Sequence, residues 1–148
     1  MSKLVKKVYF DNSATNTAEA IEFLSDKAVE LGIADDKDAI LAAFNEREAQ
    51  GPTGMTGGFA LPHAKSAAVK DVAVVVVKFN DKVEWKSMDS TPIKSAIAIF
   101  VPDDEAATTH LRVLAQIAGL LMKPDFCEMV LGSDDEDEII AAIEEGVE

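Results

Sequence analysis

Two stretches of this chain, Val72–Phe79 and Ile93–Val101, are dominated by apolar and β-branched residues and lack the polar alternation of a strand that wets one face. Each has strand length, and each ends at a turn former: Asn80-Asp81 after the first, Pro102 after the second. A strand of this kind has to be covered on both sides. Two of them in one chain call for a sheet between layers of helices.

The rest of the chain supplies such helices on both flanks. Leu4–Phe10 mixes Val, Tyr and Phe with lysines and reads as a first strand, followed by a turn-rich link at Asp11–Asn16. Asn16 and Glu19 have the spacing of a capping box, after which Ile21, Leu24, Ala28 and Leu31 share a helical face and Gly32 closes the helix. A second helix starts at Asp35 or Asp36, where acid favours the positive helix end. It carries the apolar stripe Ile40, Leu41 and Phe44 and stops at Gln50-Gly51-Pro52. Phe59–Leu61 is short and apolar, and Pro62 excludes it from a central strand position. Asn80-Asp81 and Asp89-Ser90 read as turns, with Val83–Trp85 as a possible edge strand between them. Asp103-Asp104 opens a helix running to about Met122 with Val113, Leu114, Ile117, Leu120 and Leu121 on its face. Lys123-Pro124 ends it, Asp125–Leu131 reads as a short helix, and Ser133 and Glu136 have capping-box spacing for a last one. The expected order is β-α-α-loop-β-β-α-α-α. The fold class is α/β: a three-layer α/β/α sandwich with a central mixed sheet. With 148 residues and no linker or repeat, residues 1–148 are expected to form one domain.

Charge and cysteine content narrow the function. Fourteen Lys and Arg against 27 Asp and Glu leave a net charge of −13. No basic stripe is present to release counterions from a nucleic acid or an anionic membrane, so those partners are not expected. A basic protein partner suits this surface better, although acidity can also serve solubility alone. No apolar run is long enough to insert in a membrane, and the basic N-terminal stretch lacks the apolar core of a signal peptide. The single cysteine, Cys127, rules out an internal disulfide, reads as a packed small hydrophobe and fits a cytoplasmic protein.

The chemistry concentrates between Arg47 and His63, in R-E-A-Q-G-P-T-G-M-T-G-G-F-A-L-P-H. Four of the chain's eight glycines, two of its five prolines and one of its two histidines lie there. Glycine allows close backbone approach, successive amides of such a loop can cradle an anion, and arginine is shaped to clamp phosphate. The working expectation is a phosphoryl group held on or against His63. A nucleophilic imidazole needs a bare attacking nitrogen, so its other nitrogen must donate a hydrogen bond, and a loop carbonyl can accept it. Loop amides, among them those of the Thr53, Gly54 and Gly57 segment, would face the phosphoryl oxygens. Arg47 falls at the edge of its helix's buried stripe. His110, near the start of a later helix and on its apolar face, is expected to be neutral and to play an auxiliary part. Each residue also has a plainer reading: His63 as a surface loop histidine, His110 as a packed core histidine, Arg47 as a helix-end cap, Thr53 and Thr56 as turn formers. The two histidines have no metal-ligand spacing, and the glycines match neither a P-loop nor a dinucleotide fingerprint. A metal site is therefore not expected, nor a nucleotide held by either of those loops.

The segment Arg47–Ala64, together with H-L-R-V-L-A-Q-I-A from His110 to Ala118, resembles the fructose/mannitol-type enzyme IIA domains of the bacterial phosphoenolpyruvate-dependent sugar phosphotransferase system. The resemblance runs from about Phe10 to about Glu145. It departs from the family at Gln50-Gly51-Pro52, which is more turn-forming than the usual serine-rich segment. The resemblance implies a three-layer α/β/α fold without cofactor. It makes His63 the residue that accepts a phosphoryl group from the carrier protein HPr and passes it to a cysteine of a IIB component, which serves the membrane permease IIC. It casts His110 as the second active-site histidine and Arg47 as the arginine before the loop. A regulatory nitrogen-branch relative, which signals through the same phosphohistidine, is the alternative. Because IIA domains often occur fused to IIB or IIC, a chain of this length is expected to act as a freestanding subunit.

Overall fold

The computed structural model describes residues 4–103 and 107–147, without the side chains of 107–110. The elements are β1 (Val5–Asn12), α1 (Thr17–Glu30), α2 (Lys37–Gln50), β2 (Phe59–Ala60), β3 (His63–Ser66), β4 (Ala73–Val83), β5 (Ile93–Pro102), α3 (Ala107–Leu121), α4 (Pro124–Gly132) and α5 (Glu136–Gly146). The sheet has the order β1-β4-β5-β2, with β3 also paired to β5. It is mixed: β1 lies parallel to β4, β4 antiparallel to β5, and β2 and β3 parallel to β5.

The two apolar runs occupy the middle of the sheet, as their pattern requires. Successive side chains point to opposite faces, so each run feeds two cores. Val74, Val76, Ile97, Ile99 and Val101 face Val113, Ile117, Leu120, Val130, Ile139 and Ile143 of α3, α4 and α5. Val75, Val77, Ala98 and Phe100 face Ile21, Leu24 and Ala28 of α1 and Ile40 and Phe44 of α2. Phe44 and Phe100 meet edge to face at 5.4 Å. α2, the helix that carries Arg47, packs against α1 and β3 and reaches β5 through this ring contact.

Several sequence expectations change in detail. Asn80-Asp81 is not a turn, and Val83–Trp85 is not a separate strand. β4 runs through to Val83, its pairing with β5 slips between Lys78 and Val83, and the reversal falls in the segment 84–92. The polar pair sits where the strand is exposed, so no burial forces the chain to turn there. The Gly-rich region is more ordered than a loop: two short strands, β2 and β3, line the free edge of β5. Pro62 sits between them, its carbonyl accepting from Ile99 N–H at 3.0 Å, and its missing N–H costs nothing on an outer edge. The Asn16 side chain caps α1 by accepting from Glu19 N–H, but the Glu19 carboxylate reaches Thr15 N–H rather than Asn16. At α5 the cap is Asp135, which accepts from the amides of Asp137 and Glu138, in place of the expected Ser133. Ser133 donates instead to Glu138, and Glu136 turns away to accept from Val8 N–H. Asp104 lies outside the described residues, which resume in α3 at Ala107.

Candidate functional site

α2 delivers Arg47 in its last turn, and Gly51 ends the helix. The chain then doubles back along β2 to reach His63, the first residue of β3, opposite Ile99 of β5. Sixteen residues of sequence are folded so that two half-buried side chains meet: Arg47 Nε donates to His63 Nε2 at 2.9 Å. A second guanidinium nitrogen, Nη1, donates to the Gly51 carbonyl at 2.8 Å, which fixes the arginine against the helix end.

The other ring nitrogen, His63 Nδ1, lies 3.1 Å from the Leu61 carbonyl. Guanidinium nitrogen can only donate, and a carbonyl can only accept. The ring therefore accepts at Nε2 and donates at Nδ1, which assigns the single proton of the neutral imidazole to Nδ1. The carbonyl that the sequence reading asks for is that of Leu61. Beside the ring is an open cavity of about 360 Å³, lined by Ala43, Glu46, Arg47, Gln50, His63, Lys65 and Asp103. It is large enough for a phosphoryl group and carries cationic groups from Arg47 and Lys65 with acids at Glu46 and Asp103.

The glycine loop supports this geometry from behind. Gly54 makes bridges to both Ala60 and Ser87; a Cβ there would lie 2.1 Å from the Lys86 carbonyl oxygen. Gly57 and Gly58 take φ of +71° and +88°, the left-handed setting that a side chain resists. The Thr53 and Gly57 donors expected to face a phosphoryl group are engaged within the protein. Thr53 N–H donates to Glu48 at 3.2 Å, its hydroxyl donates to the same carboxylate, and Gly57 N–H donates to Asp89 at 3.1 Å. These hydrogen bonds with Thr91 and Gly57 amides hold the Asp89 carboxyl below its ordinary pKa. His110 lies in the first turn of α3, and its side chain is outside the described residues.

Glu48 is the residue the sequence reading passed over. It is half-buried and accepts from Thr53 N–H, Thr53 Oγ and Trp85 Nε1. One signal was available: a carboxylate in the last turn of a helix opposes the helix dipole, so some other interaction must retain it. Leu61 gave no signal, because a backbone acceptor has no side-chain signature. Among the described residues, no group of three His, Cys, Asp or Glu side chains is arranged to hold a metal ion, and no helix is long and apolar enough to cross a membrane.

A mixed sheet between two helical layers, offering a histidine of fixed tautomer next to an arginine at one sheet edge, defines the class of α/β domain to which the chain is compared. The chain belongs to the family described as "Phosphoenolpyruvate-dependent sugar phosphotransferase system, EIIA 2", which it matches over residues 4–146. It is 36% identical over 129 residues to the "PTS system fructose-specific EIIA component" of Haloferax volcanii, covering 87% of this chain and 83% of that one. It is 28% identical over 132 residues to the "PTS system 2-O-alpha-mannosyl-D-glycerate-specific EIIABC component" of Escherichia coli, covering 88% of this chain but only 20% of that much longer protein. A "Nitrogen regulatory protein" of Bradyrhizobium diazoefficiens is 27% identical, over 84% of this chain and 80% of that one. The fold is shared with the nitrogen regulatory protein IIA-Ntr of Neisseria meningitidis (TM-score 0.85, 21% identity, 95% and 96% of the two chains covered). It is shared also with enzyme IIA of mannitol from Escherichia coli, solved in complex with phosphorylated enzyme IIB (TM-score 0.78, 19% identity, 93% and 94% covered).

Proposed function

We propose that the protein is a phosphocarrier of a sugar phosphotransferase system, with His63 Nε2 as the atom that carries the phosphoryl group. The observation that supports this best is the pair of opposed hydrogen bonds on the His63 ring. With the proton held on Nδ1 by Leu61, the in-plane lone pair of Nε2 points toward the cavity side occupied by Arg47. In the forward step, Arg47 Nε leaves the lone pair, which attacks the phosphorus of phospho-HPr in line. A new Nε2–P bond forms as the donor's P–N bond breaks, and its electron pair returns to the donor imidazole. Arg47, still tied to Gly51 through Nη1, then donates to the phosphoryl oxygens it faces. In the second step a thiolate of the IIB component attacks the same phosphorus and the Nε2–P bond breaks, restoring the neutral ring. The Nδ1 proton stays in place throughout. No metal or organic cofactor takes part in this scheme.

The acidic groups Glu46 and Asp103 at the cavity mouth, on a chain of net charge −13, favour a donor with a basic docking face, as the resemblance implies for HPr. In this reading His110 assists the phosphoryl group, Thr53, Gly54 and Gly57 hold the loop in shape, and the protein works in the cytoplasm and reaches the IIC permease only through IIB. Incubation with phosphoenolpyruvate, enzyme I and HPr is expected to add one acid-labile phosphoryl group. His63→Ala is expected to abolish it and His110→Ala to slow it. A full gain of mass in His63→Ala would overturn the assignment.

The relatives named nitrogen regulatory proteins support a second reading, in which the same phosphohistidine signals instead of feeding transport. Transfer from the phosphorylated protein to a cognate IIB cysteine separates the two: transport requires it, and signalling does not.

A further inference from the structure

Both nitrogens of His63 are reached by hydrogen-bond paths that start at one turn, and Glu48 closes that turn. The first path runs through Arg47, the residue before Glu48: its Nη1 holds the Gly51 carbonyl at 2.8 Å and its Nε reaches His63 Nε2 at 2.9 Å. The second runs through the main chain. Glu48 accepts from the amide and hydroxyl of Thr53. The Thr53 carbonyl accepts from Leu61 N–H at 2.9 Å, and the Leu61 carbonyl accepts from His63 Nδ1 at 3.1 Å. Thr53 is 3% exposed and Leu61 is 3% exposed, so water does not readily substitute for either link. Trp85 Nε1 adds a third donor to Glu48 at 3.2 Å and anchors the carboxylate to the segment that joins β4 to β5.

We infer that Glu48 is a positioning residue for His63: by pinning Thr53 it holds the Leu61 carbonyl where it keeps the imidazole proton on Nδ1 and leaves Nε2 as the acceptor. A helix-terminal acid otherwise works against the dipole of α2, and three donors converging on one carboxylate offset that cost. The amide and carbonyl of one residue lie in two planar peptide units joined at Cα, and the burial of Thr53 and Leu61 restricts the rotation between them, so the setting of one hydrogen bond is passed to the next. The inference deepens the phosphocarrier reading and rests on it for its effect on rate. Its structural core, the tautomer of the unphosphorylated ring, stands apart from that reading.

The test is therefore made first without any donor. Two-bond nitrogen–proton correlation spectra of the unphosphorylated protein distinguish Nδ1–H from Nε2–H. The native protein is expected to give the Nδ1–H pattern. Glu48→Ala is expected to give a mixture, and Glu48→Asp, which withdraws the carboxylate by one methylene, the same change in smaller measure. Trp85→Phe removes one donor but leaves both Thr53 contacts, so it is expected to keep the native pattern. Phosphoryl acceptance from HPr then falls roughly ten- to hundredfold in Glu48→Ala, the scale of a misplaced reacting group, with the product still on His63. The native ring pattern in Glu48→Asp and Glu48→Ala would overturn the inference, as would a change in Trp85→Phe equal to that in Glu48→Ala, which would indicate general loosening. If Glu48→Ala does not fold, Glu48→Asp decides. A native protein that takes no phosphoryl group would remove the phosphocarrier reading and leave the tautomer result to decide on Glu48.

Discussion

Arg47 makes two contacts that no other side chain could make from the same position. Its Nε points at His63 Nε2 and its Nη1 at the Gly51 carbonyl, so one rigid guanidinium spans the imidazole and the helix end. Arg47→Ala removes both. In the resting protein the loss is two charge-assisted hydrogen bonds, to His63 Nε2 and to the Gly51 carbonyl, between half-exposed groups. After allowance for solvent the two together are worth about 1–2 kcal/mol, or a fall in Tm of about 2–8 °C for a chain of this size. In the proposed phosphoryl transfer the expected loss is larger, because a donor aimed at developing phosphoryl charge contributes about 2.7–4 kcal/mol, or roughly 10²–10³ in rate. Arg47→Lys keeps the charge, but one ammonium cannot serve both acceptors in the fork geometry of arginine, so a loss of about tenfold is expected. The assay is rapid-quench phosphorylation from purified phospho-HPr, read by intact mass, alongside thermal unfolding of the same samples. Arg47→Ala reacting within threefold of the native rate, or Arg47→Lys matching it, would refute the reasoning. So would a fall in Tm large enough for unfolding to account for the lost rate.

The remaining predictions concern the scaffold. Gly54→Ala would place a methyl 2.1 Å from the Lys86 carbonyl oxygen; separating the two backbones is expected to cost about 2–3 kcal/mol and to lower Tm by about 4–12 °C. Phe44 is 1% exposed and stacks edge-on against Phe100, so Phe44→Ala is expected to destabilise by about 3–5 kcal/mol in urea unfolding with little change in slope. The Asp89 carboxyl is held below its ordinary value of 3.8 by the amides of Thr91 and Gly57. A lowered native pKa contributes stability that is present above the unfolded value and is lost as pH falls through the native one. The native protein is therefore expected to melt above Asp89→Asn at neutral pH, and scans down the acid range should show the gap closing below about pH 3.8.

Much of the fold is legible in the chain because burial writes itself into composition. The runs at Val72–Phe79 and Ile93–Val101 could only be central strands, and the amphipathic stripes before and after them could only be the two covering layers. Asn16 could be read as a cap from spacing alone, since a cap is satisfied within four residues, whereas charge preference narrowed the second helix start only to Asp35 or Asp36. Reading failed where competing local solutions were equally good: Asp135 and Ser133 both suit a cap, and only the position of β1, which draws Glu136 to Val8 N–H, selects between them. It failed also where no local signal existed. β2 has two residues and β3 has four, too short for periodicity, and they are strands only because β5 offers them an edge.

The site divides in the same way. The sequence by itself determined which groups are available: an arginine at a helix end, a glycine-rich reversal and a histidine behind a proline. These are local facts of residue type and spacing. The tertiary structure decided which of them meet and in what state. Arg47 and His63 touch because α2 packs against β3, the strand that His63 opens. The imidazole proton resides on Nδ1 because a backbone carbonyl, that of Leu61, lies on one side of the ring and a donor-only guanidinium on the other. The Thr53 and Gly57 amides that sequence reasoning aims at a phosphoryl group are engaged instead by Glu48 and Asp89. A hydrogen bond depends on direction as well as identity, and direction is set by the packing of elements far apart in the chain.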